Sequence, residues 1–275
     1  MQQIFSNLTQ GINYAKQCLR NYGQVIKADN KWQGVKINRS MFEVDNVYFR
    51  CCMPQSPIAL EEQVKPDMPW AEDHFQERVG GKPLNPGEQY KNWIGYKAEN
   101  KDWNDLHFRP EGVFTHTYME RYWPRYAGEK YKPFLANPQG HFPPHCGVRY
   151  EYGDLLDVIN LLYKEPFTRQ AYLPIWFPED TGVLHGGRVP CSIGYHFMRK
   201  GDDLNIHYMI RACDYIRHFR NDIYLTVRLA QWVLDRVKRL SELDSNANPW
   251  TGCQLGIFTM DIVHFHVFES ERNLI

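Results

Sequence analysis

The sequence lacks an excess of charge of either sign. Across 275 residues, 32 Lys and Arg residues balance 32 Asp and Glu residues. Without net charge, no overall field would attract polymeric nucleic acid or an anionic membrane, and an anionic ligand has to be bound by a local group of cations. We therefore expect neither polymeric nucleic acid nor a membrane among the partners of this chain.

Features of secreted, membrane and metal-binding proteins are also scarce. The first residues lack the basic and then apolar layout of a signal peptide, and no apolar run approaches the length that spans a bilayer. The seven cysteines are odd in number and include no Cys-x-x-Cys pair, which favours reduced thiols over a disulfide framework. The sequence therefore predicts a cytoplasmic protein, and we assign no metal ligands in it.

Hydrophobic residues make up 43% of the chain, which is enough to form the core of one large domain spanning residues 1–275. The spacing of apolar residues predicts helices from the N-terminus to Gly23, over 70–79, over 154–163 and after Phe219, where Asn221 and Asp222 have the position of an N-cap. Strands are predicted over 171–176, over 256–268 and in a hairpin of 193–199 and 204–210. The rest of 56–144 is rich in Pro, Gly, Trp and charge, so we expect loops that shape a site.

Cys191 is the candidate nucleophile. It lies in the run Arg188-Val189-Pro190-Cys191-Ser192, at the entrance of the first hairpin strand, where a thiol can be exposed. Nearby cations favour the reactive thiolate, and Arg169, Arg188 and Arg211 are the candidates. The alternative is a buried structural cysteine, which is the commoner role of a single Cys.

Three blocks of sequence, taken together, resemble the thymidylate synthase superfamily. The first is the segment 168–180, in which Arg169, an apolar strand and a Trp-x-Pro-x-Asp pattern precede Pro190-Cys191. The second is Arg211-Ala212-Cys213-Asp214, followed by Phe219-Arg220-Asn221-Asp222, and the third is His264-Phe265-His266. The resemblance covers roughly residues 154–268, and the joint pattern is more specific than any one motif.

The resemblance implies an α+β fold in which a large twisted mixed sheet packs face to face in a homodimer. It implies a pyrimidine nucleoside monophosphate as substrate and 5,10-methylenetetrahydrofolate as cofactor. By position, Arg211 would bind the phosphate in its own subunit, Arg169 would reach the phosphate of the partner, and Asp214 would contact the pyrimidine carbonyl. His264 and His266 would contact the sugar, whereas Trp103 and Tyr118 would lie near the folate.

Asp222 occupies the position at which this superfamily reads the pyrimidine base. A carboxamide matches the donor and acceptor of uracil, whereas a carboxyl group can accept from the cytosine amine and share a proton with the ring nitrogen. The same carboxyl would stabilise the ring when the thiolate adds to it. The string Phe-Arg-Asn-Asp resembles the deoxycytidylate hydroxymethylases of bacteriophages, which would place the protein in a bacterial cytosol or an infected host cell. The alternative is that Asp222 only caps its helix.

A general base is also needed, and Glu72 is our candidate because it opens a helix among aromatic residues, a setting that raises a carboxyl pKa. Glu77 is the rival, and a solvated helix face is the alternative for both. Three departures from the family pattern, Gln170, Ala212 and His266, alter the phosphate and sugar contacts and leave CMP open beside dCMP. The short segment after the last strand favours hydroxymethylation, while a methyltransferase and a non-catalytic nucleotide-binding protein remain alternatives.

Overall fold

The structure is a computed structural model that describes residues 3–26, 40–89, 116–124, 153–181, 189–243 and 249–275, with the backbone of 31–32 and 35–36. The predicted site residues Trp103 and Arg188 lie outside these ranges. The helices are α1 (Leu8–Tyr22), α2 (Pro57–Val64), α3 (Trp70–Val79), α4 (Tyr118–Tyr122), α5 (Leu155–Lys164) and α6 (Phe219–Leu243). The strands are β1 (Gln24–Ile26), β2 (Lys31–Trp32), β3 (Val35–Lys36), β4 (Met41–Cys52), β5 (Tyr172–Pro174), β6 (Ser192–Lys200), β7 (Asp203–Asp214) and β8 (Gln254–Phe268).

The fold is organised around one mixed sheet with the strand order β1-β4-β8-β7-β6-β5. Strands β7 and β8 are parallel, and the other neighbouring pairs of this sheet are antiparallel. The predicted hairpin is present as β6 and β7, which are joined by a turn at Gly201 with a positive φ of 60°. The prediction of an α+β fold with a mixed sheet is confirmed. In the described ranges, no helix combines the length and the apolar character needed to cross a membrane.

Helices α1 and α6 cover one face of the sheet, which we call the helical face. Phe219, at the start of α6, packs against Phe49 of β4 and Phe265 of β8, with ring centroids 6.1 and 4.8 Å apart. Helix α1 approaches β4 so closely at Gly11 that a Cβ atom there would lie 2.2 Å from the Cys51 sulfur. This contact explains why a glycine is placed on the buried side of an amphipathic helix.

A break in the alternation of side chains crosses the sheet near Asn46, which has a positive φ of 58°. On one side of the break β4 turns Val47 and Phe49 into the core, and on the other side it turns Phe42 inward. Strand β8 changes in the same way, with Ile262 and then Phe265 buried. Beyond the break, residues that alternate with Phe265 therefore point to the opposite face of the sheet.

The structure corrects one boundary and adds elements that the sequence patterns did not predict. Helix α6 begins at Phe219, so Asn221 and Asp222 lie within its first turns and the predicted N-cap is wrong. The carboxylate of Asp214 instead accepts hydrogen bonds from the backbone N–H groups of Ile216 and Arg217, in the turn before the helix. Strand β4 and helices α2 and α4 were not predicted.

Candidate active site

A pocket of about 610 Å³ lies where α3, the start of α6 and the ends of β6 and β7 meet. Four residues singled out from the sequence line it, namely Cys191, Asp222, Tyr118 and Ala212. The fold therefore brings the candidate nucleophile, the candidate base-reading carboxyl and an aromatic wall into one cavity.

Cys191 immediately precedes β6 and is half-buried. The next strand, β7, fixes its backbone, because the N–H of Arg211 donates to the Cys191 carbonyl over 2.9 Å. The guanidinium of Arg211 donates to the Pro190 carbonyl over 3.0 Å and lies 5.5 Å from the centre of the Trp176 ring. Arg211 does not itself line the pocket, but it holds the segment that carries the thiol.

Asp222 lies in the first turn of α6 and is half-buried. The Cys213 thiol donates to its Oδ2 over 3.7 Å. Burial raises the pKa of Asp222 to about 7, because desolvation of the carboxylate outweighs the opposing positive charge of Arg78 and the Cys213 contact. Near neutral pH this carboxyl can therefore hold or release a proton.

A chain of hydroxyl groups runs beneath Cys191. The Tyr118 hydroxyl lies 2.9 Å from Ser192 Oγ, which lies 2.7 Å from the Tyr208 hydroxyl. Burial raises the pKa of both Tyr118 and Tyr208, so the phenols are neutral and each can donate while it accepts. Such a chain can pass a proton without developing a net charge in the core.

Helix α3 presents a stripe of residues that our reading of the sequence missed. Trp70, His74 and Arg78, which are spaced by four residues, all line the pocket. Arg78 Nε donates to His74 Nε2 over 3.0 Å, and the rings of Trp70 and His74 stack with centroids 4.9 Å apart. Because arginine only donates, Nε2 is unprotonated, and burial lowers the pKa of His74 well below its usual value. His74 is therefore neutral.

No model of a protein family matches the sequence, and neither does any curated protein sequence. Among solved structures, the chain is similar to the thermostable thymidylate synthase A from Bacillus subtilis, with a TM-score of 0.60 and 14% sequence identity. The match covers 98% of this chain and 82% of that one. The fold is that of a thymidylate synthase. At this identity the similarity establishes the fold alone, so the chemistry has to be argued from the side chains.

Within this thymidylate synthase fold, Glu72 is not among the residues that line the pocket. Its carboxylate accepts from Arg228 Nε and Nη2 over 2.9 and 2.8 Å, from the Tyr224 hydroxyl over 2.9 Å and from Gln76 over 2.7 Å. Burial alone would raise the pKa of Glu72, but the hydrogen bonds from Arg228, Gln76 and Tyr224 outweigh it, and the pKa is lowered. The raised pKa expected from the sequence is wrong. Glu77 accepts from the backbone N–H groups of Glu88 and Gln89 instead.

Four further residues that the sequence predicts to contact the substrate do not line the pocket either, namely Arg169, Asp214, His264 and His266. The side chain of Arg169 is exposed, and its carbonyl lies 2.9 Å from His196 Nε2. Asp214 is buried and forms an ion pair with Arg217 at 2.9 Å. His264 is half-exposed, whereas only 7% of His266 is exposed. Strand pairing nevertheless places His264 directly beside Ala212, which lines the pocket.

Proposed function

We propose that this protein is a cytidylate 5-hydroxymethylase that transfers a one-carbon unit from 5,10-methylenetetrahydrofolate to carbon five of the cytosine of CMP or dCMP. The observation that carries the proposal is that the half-buried residues Asp222 and Cys191 line one pocket. The thymidylate synthase fold supports the broader class, folate-dependent modification of a pyrimidine at carbon five.

Asp222 supports cytosine as the base. Cytosine presents an amine donor beside a ring-nitrogen acceptor, and a carboxyl with a pKa of about 7 can accept from the first and share a proton with the second. No other carboxyl lines the pocket among the described residues. When the ring gains negative charge in the reaction, the proton shared with Asp222 neutralises it.

Cys191 supplies the covalent step in this proposal. Its thiolate adds to carbon six of the ring, which makes carbon five nucleophilic, and the thiolate leaves again when the product is formed. The Tyr118 hydroxyl, one hydrogen bond from the residue that follows Cys191, would pass on the proton that carbon five loses. We do not extend the role of general base to Glu72 or Glu77, because both carboxylates are engaged by other groups.

The pocket also suits the folate. Trp70, stacked on His74, and Tyr118, which lies under the Arg78 guanidinium at 4.1 Å, provide aromatic walls that fit a flat ring system. These residues would hold the cofactor, which supplies the one-carbon unit when it is bound. Water then has to reach the transferred carbon for a hydroxymethyl product, whereas hydride transfer from the folate would give a methyl product.

We further propose that the protein acts as a homodimer in which Arg169 binds the phosphate of the partner's nucleotide. Its exposed side chain leaves the guanidinium available to a second subunit. Arginine suits this role because its planar fork can bind phosphate in a bidentate manner.

The test is a side-by-side assay of dCMP, CMP, dUMP and UMP with the folate, read by product mass and by release of tritium from carbon five. The proposal expects cytidylate turnover and the mass of an added hydroxymethyl group. An added methyl group would indicate a methyltransferase, preference for a uridylate would overturn the cytosine assignment, and binding without tritium release would indicate a non-catalytic nucleotide-binding protein.

A further inference from the structure

Two carboxylates and two imidazoles lie together on the sheet face opposite the helical face. Strand pairing places Asp45 of β4 beside His264 of β8. It also places Glu43 beside His266. Phe265, between the two histidines in the strand, packs into the core, so the histidines and their cross-strand partners point away from the helices. We call these four residues the β4–β8 cluster, and none of them lines the pocket of the candidate active site.

Three members of the cluster are close enough to bind one ion. His264 Nδ1 lies 2.9 Å from Asp45 Oδ1 and 3.2 Å from Glu43 Oε1. Ligand atoms of the three residues all lie within 4.8 Å of one another. In a tetrahedral zinc site with bonds of about 2.0 to 2.1 Å, neighbouring ligand atoms are about 3.3 Å apart. Binding an ion therefore requires only small movements of these side chains.

The charges of the cluster also favour a cation. The Nδ1 atom of His264 carries at most one hydrogen, yet it faces two carboxylates. Two carboxylates this close repel each other unless a positive charge lies between them. Together they would balance the charge of a divalent ion. The side chains of His264 and Asp45 are 49% and 61% exposed, so an ion can reach them from solvent.

His266 supplies an independent indication of a ligand at this place. Only 7% of the residue is exposed, and within the described part of the chain neither ring nitrogen has a hydrogen-bond partner. Buried polar atoms are nearly always satisfied. Glu43 pairs with His266 and reaches His264, so its side chain spans from one histidine to the other. His266 is thus the candidate for the fourth position of a tetrahedral site.

The donor atoms select the class of ion. Ca²⁺ and Mg²⁺ take about six or more ligands, nearly all of them oxygen, whereas imidazole nitrogen suits zinc and other first-row transition ions. Two imidazoles and two carboxylates provide the four ligands that a structural zinc site takes. The sequence alone does not reveal this set, because Asp45 and His264 are 219 positions apart.

We propose that the β4–β8 cluster is a binding site for a divalent transition ion, with Zn²⁺ as the best fit. Glu43, Asp45 and His264 provide three of the ligands. His266 provides the fourth. An ion at this place joins β4 to β8 beside the break near Asn46 and stabilises the sheet there. The inference is independent of the proposed function, because it uses no residue of the pocket.

Calorimetric titration of the chelator-treated full chain with Zn²⁺ tests this inference. We expect a single ion for each chain and a rise in Tm that a chelator reverses, because an ion that binds only the folded state stabilises it. The isosteric variant Glu43→Gln/Asp45→Asn should lose more affinity than the about 10- to 100-fold that removal of an outer partner of a metal ligand costs. His266→Phe, which keeps the ring but removes both nitrogens, should lose about tenfold or more. Glu62→Gln, at an exposed position on α2, is the matched control and should retain the affinity.

Co²⁺ in place of Zn²⁺ reports on the ligands themselves. Tetrahedral Co²⁺ bound by nitrogen and oxygen absorbs visible light, whereas a thiolate ligand adds an intense charge-transfer band in the near ultraviolet. We expect the visible bands without the thiolate band, and their loss in the double variant. Far-ultraviolet circular dichroism without metal checks that each variant is folded, and His264→Gln, at an exposed position, provides a second test if the double variant is not.

Three results would overturn the proposal. The first is the absence of saturable binding by the wild type. The second is an affinity that survives in the double variant, in His264→Gln or in His266→Phe. The third is a thiolate band, which would place the ion at a cysteine such as the half-buried Cys191.

Discussion

The buried Cys213 thiol lies against the Asp222 carboxyl, with Sγ 3.7 Å from Oδ2. Burial raises the pKa of both groups, and each carries its proton more readily than it would in water. The contact directs one carboxyl oxygen toward β7, while Asp222 as a whole lines the pocket. The pKa of the residue that our proposal assigns to cytosine lies near neutrality because desolvation outweighs the charge of Arg78 and the weak hydrogen bond from the Cys213 thiol.

Asp222→Asn should exchange the base specificity without creating a cavity, because the amide is nearly isosteric with the carboxyl. An amide matches uracil, but it cannot hold the proton that the attacked cytosine ring needs. We expect cytidylate turnover to fall by about two to four powers of ten, the usual range for an acid or base group, and uridylate turnover to rise. The measurement is kcat/KM for CMP over UMP and for dCMP over dUMP in both proteins. An unchanged ratio would leave Asp222 without a role in reading the base.

The pKa of Asp222 also predicts how stability depends on pH. Because this pKa is raised from 3.8 to about 7 in the folded state, the folded chain keeps a proton that the unfolded chain releases between these values. The stabilisation associated with this proton is fully present below about pH 4 and is lost as the pH rises to about 7. The total loss in the free energy of unfolding is about 4 kcal/mol. Asp222→Asn should remove this trend. Urea unfolding of both proteins from pH 4 to pH 8 provides the measurement, and parallel pH curves would contradict the prediction.

Cys191→Ser should abolish turnover while nucleotide binding is preserved, since a hydroxyl of similar size has too high a pKa to add to the ring. Arg169→Ala should weaken phosphate binding. If Arg169 acts across a dimer, mixing the two variants should restore part of the activity, because some hybrid dimers contain one complete site. Tritium release from the mixture, compared with each variant alone, gives the result. Residual turnover in Cys191→Ser would move the nucleophile elsewhere; Cys213, the next candidate from the sequence, is buried, has a raised pKa and does not line the pocket.

Glu72→Gln should reduce stability more than catalysis. The change weakens a partly buried ion pair with Arg228 and should lower the free energy of unfolding by about 1 to 3 kcal/mol, the usual value of hydrogen bonds to charged groups. Turnover should remain within about tenfold of the wild type, well short of the loss expected for a general base. Arg228→Lys serves as the partner control for stability. A loss of turnover of about two powers of ten or more, with stability retained, would restore Glu72 as the base.

The strands and helices around Cys191 could be predicted because their signals are local. The hairpin, its turn at Gly201 and the capping box of α5 at Asp154 all depend on residues a few positions apart. Strand β4 could not be found in this way, because its apolar positions change face at Asn46 and no single two-residue period describes it.

The orientation of α3 decides which of its residues line the pocket, and the sequence alone does not predict that orientation. Glu72 and His74 are two residues apart, and the sequence favours Glu72 as the base because it opens a helix among aromatic residues. Which of the two faces the pocket depends on Arg228, 156 positions further along the chain, which binds Glu72 and turns the other side of α3 to the cavity. The four-residue spacing of Trp70, His74 and Arg78 is visible in the sequence. That this side of α3 faces the pocket follows only from the packing of α3 against α6.

The break near Asn46 limits which insertions and deletions this sheet can accept. Because the side chains of a strand alternate, inserting or deleting one residue between Ile262 and Phe265 would turn the two histidines into the core and bring Phe265 and Val267 to the opposite surface. The number of residues in that short stretch is therefore constrained as strictly as any side chain in it. Point substitution can adjust the chemistry of this surface, but a change in strand length would abolish it and the core together.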